Sequence, residues 1–175
     1  MAVGEGGVIL GSPGYVLDNS VVSALHQAGA LARLLEMWPG RWVVPAEVRE
    51  EASRWKAEGH RVVVILDSLE ARGIIVYAEV DPSLEGALMA QLSRTLGQGE
   101  SAAIAMAYRR GFQVALDDRA ARRTCERLQP SVEWVSTESL LVRAVAEGKL
   151  TRAEATAIWN ATGILDIRRG LSWDN

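Results

Sequence analysis

Tyr15-Val16-Leu17-Asp18-Asn19-Ser20 decides how the rest of this chain is read. A short apolar run ends in an aspartate and passes directly into the amphipathic segment 21–32, the pattern of strand, turn and helix. Phe112-Gln113-Val114-Ala115-Leu116 repeats the design, running into Asp117-Asp118 and then into the arginine-rich helical stretch 119–128. Two strands therefore deliver carboxylates at their C-terminal ends. In open parallel α/β sheets the crevice beyond those ends is where ligands bind, so acids placed there converge.

Outward from these two anchors the chain alternates. Helices are expected over 21–28 and 30–38, separated by Gly29, and a strand over 41–44 follows the Pro39-Gly40 turn. Pro45 suits a helix start, and 46–57 is rich in helix formers with Glu47, Glu50 and Glu51 in its early turns; Gly59 is read as its end. The run Arg61-Val62-Val63-Val64-Ile65-Leu66-Asp67 carries β-branched residues that favour a strand, while Leu69, Ala71 and the stop at Gly73 favour a helix to Arg72, which is the reading adopted. A third strand over 74–80, helices over 84–96 and 98–110, the strand 112–116, a helix to 128, a short strand over 132–135 after Pro130, and helices over 137–147 and 151–162 complete the series. Strands that alternate with helices predict an α/β fold, a mostly parallel sheet sandwiched between helices. Residues 1–14, glycine-rich and ending in Ser12-Pro13-Gly14, read as a flexible leader, 15–163 as one domain and 164–175 as a C-terminal tail.

Composition agrees. A chain of 175 residues, 49% of them hydrophobic, is long enough for one domain with a full core. The single cysteine, Cys125, cannot form an internal disulfide, and the N-terminal residues carry no secretory pattern, so a cytoplasmic location is expected. No apolar stretch approaches the roughly 20 residues that cross a bilayer. A net charge of −3 argues against a non-specific nucleic-acid binder but not against a nucleic-acid enzyme, because an acidic metal site contributes several negative charges by itself. The basic residues are nearly all arginine, suited to bidentate phosphate contacts, and Arg119 and Arg122 stand next to Asp117 in sequence.

Asp18, Glu51, Glu100 and the pair Asp117/Asp118 are the candidate site. Singly each has a structural explanation: Asp18 and Asp117 as helix N-caps, Glu100 as a complement to a helix dipole, Glu51 as an exposed helix residue. Their conjunction is what points to function. Carboxylates brought together repel and take up protons with raised pKa values unless a cation lies among them. Mg2+ or Mn2+ prefers such oxygen ligands, and with substrate phosphate oxygens it supports hydrolysis of a phosphodiester.

The segments Val16-Leu17-Asp18-Asn19-Ser20, Pro45-Ala46-Glu47-Val48-Arg49-Glu50-Glu51, Gly99-Glu100-Ser101-Ala102-Ala103-Ile104-Ala105-Met106-Ala107 and Leu116-Asp117-Asp118-Arg119-Ala120-Ala121-Arg122 resemble, in order and spacing, the successive motifs of PIN-domain ribonucleases. Residues 137–149, with Leu140-Leu141 and Glu147-Gly148-Lys149, resemble the prokaryotic toxin (VapC-like) branch of that family. The resemblance covers about 15–162. It implies a PIN-like α/β/α sandwich, dependence on Mg2+ or Mn2+, and endonucleolytic cleavage of single-stranded or structured RNA. It also implies a homodimer and an antitoxin partner whose segment covers the acidic groove. By the same resemblance Asp18, Glu51, Glu100 and Asp117 are catalytic, and Asp18, Glu100, Asp117 and Asp118 hold the metal. Ser20 supports Asp18, while Arg119 and Arg122 contact RNA. Glu47 and Glu50 compete with Glu51, and Asp118 with Asp117, which is preferred because it directly ends the strand. Leu116 stands where many toxin-type members carry threonine, so the register of the fourth acid is open.

Other chemistries lack their motifs. No G-x-x-x-x-G-K-[ST] loop accompanies Asp67, which removes a nucleotide hydrolase. Ser20 stands where a phosphatase of the haloacid dehalogenase type needs a second aspartate. His26 and His60 show no link to a serine or cysteine nucleophile. The competing reading is a PIN-like module that binds RNA or protein without cutting. Six tryptophans supply more apolar surface than one small core requires, so an interface is expected for some of them, with Trp134 assigned to the core.

Overall fold

The computed structural model describes residues 14–164 and 171–173. The expected leader falls almost wholly outside these residues, as do 165–170 and 174–175 of the tail. Five strands form one parallel sheet: β1 (Tyr15–Leu17), β2 (Trp42–Pro45), β3 (Ile75–Ala78), β4 (Gln113–Ala115) and β5 (Trp134–Val135). Their order is β3-β2-β1-β4-β5. The chain leaves β1 toward β2 and β3, then returns to the other side of β1 as β4. Strand order thus reverses between β1 and β4, which is the place where an open α/β sheet splits to form a ligand crevice.

Strand residues alternate between two cores. Tyr15, Leu17, Trp42, Val44, Ile75 and Ala115 face one helical layer, whereas Val16, Val43, Val114 and Leu116 face the other. The first layer contains α1 (Asn19–Gln27), α2 (Leu31–Leu35), α4 (Gly59–Ala71), α8 (Thr137–Ala146) and α9 (Arg152–Ala161); α5 (Gly86–Leu92), α6 (Gln98–Arg110) and α7 (Arg119–Arg127) cover the second. This is the expected α/β/α sandwich. Being apolar on both faces is what a strand buried between two helical layers requires.

The expected elements are present, with their ends moved. The helix after Pro45, α3 (Ala46–Ser53), stops four residues short of the predicted 57, and Gly59 opens α4 instead of ending α3. The reason is a close approach: a Cβ on Gly59 would lie 2.4 Å from the Ser53 carbonyl oxygen, so only glycine lets the α4 backbone pass the end of α3. The ambiguous run 61–67 is helical, as adopted above, with Val62, Leu66 and Leu69 buried along one face. Asp67 on that helix accepts two bonds from Arg49 at 3.0 and 2.8 Å and one from the Tyr77 hydroxyl at 2.6 Å, pinning α3 and α4 to β3.

Trp38, Trp42 and Trp159 are core residues; Trp55, Trp134 and Trp173 are partly buried. In the tail, Leu171 is buried against the domain, the Ser172 amide donates to Glu138 at 3.1 Å, and Arg152 stacks on Trp173. These residues therefore pack on their own chain. No helix among the described residues is long and apolar enough to cross a membrane.

Candidate active site

The sheet puts Asp18 and Asp117-Asp118 beside each other because β1 and β4 are neighbours in register, Leu17 opposite Ala115. The Asp18 amide continues the ladder to the Ala115 carbonyl at 2.9 Å. Asp18 is 1% exposed and caps α1. Its Oδ2 accepts the Ser20 amide at 2.9 Å and the Ser20 hydroxyl at 2.5 Å. Its Oδ1 is buried with no hydrogen-bond partner. Ser20 Oγ in turn accepts the Asp117 amide at 2.9 Å, so one hydroxyl ties the ends of both strands together.

Two further acids reach the crevice from the helices. Glu51, on α3, accepts the Gly99 amide at 2.8 Å, and Glu100 accepts the Gly97 amide at 3.1 Å. Both carboxylates therefore sit on the amino end of α6, where free amides and the helix dipole favour negative charge. Glycine is needed for this arrangement. A Cβ at Gly99 would stand 2.6 Å from Glu51 Oε2 and 3.2 Å from Val48 Cγ2. Asp18, Glu51 and Glu100 line one open cavity of about 400 Å³ with Asn19, Ser20, Ser23, Trp55 and Gly97.

The remaining acids separate by what their oxygens do. Both oxygens of Asp117 are engaged: Oδ1 accepts the Thr137 amide at 2.9 Å, Oδ2 the Thr137 hydroxyl at 2.6 Å, and Arg122 approaches Oδ1 at 3.4 Å. Asp118 caps α7 through one oxygen, which accepts the Ala121 amide at 2.9 Å, and its charge bears on Glu100. Glu50 pairs with Arg54, and Glu47 is not among the residues lining the cavity. Of the three glutamates on α3, Glu51 is the one in the crevice. Arg122 also stacks over Trp134, 4.7 Å from the ring centroid, which places its guanidinium at the β4 side of the crevice. Arg119 begins α7 beside Asp118.

Electrostatics follow from this packing. Burial pushes the Asp18 carboxyl above its ordinary range, against the Ser20 hydrogen bonds, and the charge of Glu51 adds to the rise. Glu100 is raised by burial first, then by the charges of Asp18, Asp118 and Glu51 despite its bond from Gly97. Burial also outweighs the Thr137 bonds at Asp117 and leaves it raised. Carboxyl groups are thus crowded here, with the Arg122 charge opposing the rise at Asp117.

Among the described residues no three His, Cys, Asp or Glu side chains stand close enough to hold a metal ion as they are. Glu51 and Glu100 are drawn instead to the α6 amides. The donor set still suits a hard divalent cation, because it is all oxygen and includes the unpartnered buried oxygen of Asp18. Cys125 is no alternative nucleophile, since burial pushes its thiol up to about 12.

Sequence reading passed over three contributors. Thr137, seen only as a helix start, fixes Asp117. Trp55, met only as one tryptophan among six, walls the cavity. Gly99, read only as a lead-in to Glu100, seats Glu51.

A five-stranded parallel sheet with acids gathered at its switch point is the frame of a nuclease-like α/β protein. A family model for the PIN domain matches residues 14–161, and the chain belongs to the PIN-domain family. No curated protein matches the chain.

Proposed function

We propose that this chain is a metal-dependent endoribonuclease that hydrolyses RNA phosphodiester bonds in the crevice at the carboxyl ends of β1 and β4. The observation that carries the reading is Asp18: a fully buried carboxylate whose second oxygen has no partner, aimed among other acids. Buried polar atoms are nearly always satisfied, so an orphan at a sheet switch point marks a place for something to bind. Asp18, Glu51, Glu100 and Asp118 are the residues that would hold Mg2+ or Mn2+. The preference for Asp117 as fourth ligand is revised here, because Thr137 and Arg122 occupy both of its oxygens while Asp118 has one oxygen engaged in its cap. A divalent cation bound there would supply the positive charge that admits a phosphate among carboxylates and acidifies the attacking water.

The protein's own groups do the rest. Asp117 holds the amino end of α8 and orients Arg122, which, with Arg119, is positioned for the RNA backbone. Ser20 keeps Asp18 aimed into the crevice. Glu51 or Glu100, released from the α6 amides, accepts the proton of the attacking water.

In its narrower form the reading makes the chain a cytoplasmic, homodimeric toxin neutralised by an antitoxin protein. Support for this is the resemblance of 137–149 alone. Induced expression should then arrest growth for the wild type and not for Asp18→Asn. A second reading, binding of RNA or protein without cutting, is favoured by the tethering of Glu51 and Glu100 away from a common centre. Incubating labelled RNAs with purified protein in Mg2+, Mn2+ or EDTA, alongside Asp18→Asn, separates the two. Cutting that needs metal and is lost in the variant supports the nuclease; binding without cutting in either metal supports the module.

A further inference from the structure

Next to the acidic crevice lies a second groove of about 420 Å³, lined by Ser23, His26, Gln27, Trp55, Ala57 and Glu58. Ser23 and Trp55 line both, so the two share a wall. Its walls differ in kind from the crevice. Two aromatic rings face it, His26 and Trp55, with centroids 6.3 Å apart and planes inclined at 47°. No lysine or arginine lines it, and its one carboxylate, Glu58, is engaged by His26 at 3.1 Å and Arg61 at 3.5 Å, so the lining offers a phosphate no lysine or arginine. Its volume falls within the range of small-molecule sites, about 300–1,000 Å³. Ser23, Gln27 and Glu58 offer donors and acceptors at its edge. Glu58 Oε2 lies 3.1 Å from His26 Nε2, which fixes the ring's tilt.

An aromatic wall, a polar edge and no cation are what a neutral planar ring requires. We infer that this groove takes one unpaired nucleobase of the RNA strand whose phosphate enters the crevice, with Trp55 as its stacking platform. The inference rests on the ribonuclease reading and sharpens it: the strand is single-stranded at this nucleotide, because a base held in a duplex stack cannot present its face to Trp55. Arginines at the β4 side and an aromatic groove at the α3 side then define the path of the strand across the acids.

The test is fluorescence anisotropy of a labelled single-stranded 12-mer RNA on the full chain with Asp18 intact, in Ca2+, an oxygen-seeking cation used in place of Mg2+ to hold the strand uncut. One nucleotide at a time is replaced by an abasic residue, with and without Trp55→Ala or Trp55→Phe. Loss of one stacked base is expected to weaken binding roughly five-fold to a hundred-fold at a single position of the walk. Trp55→Ala should reproduce that loss and abolish the position dependence, while Trp55→Phe retains most of the affinity. A walk that is flat on Trp55-containing protein overturns the subsite, and this arm does not depend on any Trp55 variant folding. So does Trp55→Ala binding as tightly as its parent, which would leave the groove to a protein segment. The parent reading fails separately: an Asp18-intact chain that never cuts yet shows the Trp55-dependent walk binds the base without being a nuclease. Metal-dependent cutting with a flat walk leaves the nuclease standing without this subsite.

Discussion

Two buried carboxylates in this protein live opposite lives. Glu85, fully buried at the entry to α5, receives Arg110 on both oxygens at 2.6 and 3.0 Å and the Asp81 amide at 2.8 Å. Asp18, equally buried, has one oxygen served by Ser20 and one served by nothing. The first is a completed structural clamp, since Arg110 also reaches the Glu79 carbonyl at 3.0 Å and so ties α6 to the loop after β3. The second leaves one oxygen free for the cation proposed above. Burial alone does not distinguish structure from function; whether the buried charge has been answered does.

The comparison makes opposite predictions for the two residues. Arg110→Ala strands the Glu85 charge and should cost about 3 kcal/mol, the low end for a broken buried pair because Arg110 is partly exposed. Urea unfolding measures it, and cleavage per folded molecule should stay unchanged. A loss below about 1 kcal/mol would mean that Glu85 escapes to water and the clamp is not one.

Thr137→Ala sits between the extremes. It removes the hydroxyl on Asp117 and should cost about 1–2 kcal/mol in the same assay. Ser20→Ala should lower metal affinity or cleavage by about 10–100-fold with a smaller stability loss, because Ser20 orients Asp18 and bridges to Asp117. Gly99→Ala should leave the melting temperature within a few degrees of wild type, since alanine suits a helix, yet strengthen metal binding by releasing Glu51 from the α6 amide that holds it off a common centre. Equal metal affinity in Gly99→Ala would show that the seat of Glu51 on α6 is immaterial.

The smallest effect is in pH. Asp18 and Glu100 have raised folded-state pKa values, so the stability linked to their protonated forms is present in acid and lost as pH climbs through those values. In EDTA, wild-type melting temperature should therefore fall relative to Asp18→Asn as pH rises above the ordinary carboxylate range. Glu147, held at about 2 by Arg143 and then by Trp38, acts in the opposite sense and only on the acid side of its ordinary 4.5. The two windows overlap only between 3.8 and 4.5.

Much of this was legible in the sequence because the fold repeats one local device. Apolar strand, acid and helix occur at 15–21 and again at 112–119, and parallel strands bury both faces, so short apolar runs between helices located the whole sheet. What stayed hidden depends on contacts distant in sequence. Gly59 read as a helix end because its close approach to Ser53 is a tertiary fact. The sequence shows Asp117 only as the end of β4, and the fold adds that Thr137, twenty residues on, donates to both its oxygens. Trp55 carried no motif, and its place beside Asp18 and Glu51 follows from how α3 packs against α1 and α6.

Thermal melting of wild type and Asp18→Asn at about pH 8, titrated with Mg2+, tests the central claim most directly. An unanswered buried charge predicts that Asp18→Asn is the more stable protein in EDTA and does not respond to Mg2+, whereas the wild type climbs with each addition. Two proteins that respond alike to Mg2+, with the wild type the more stable in EDTA, would make Asp18 a cap like any other and remove the metal site from this crevice.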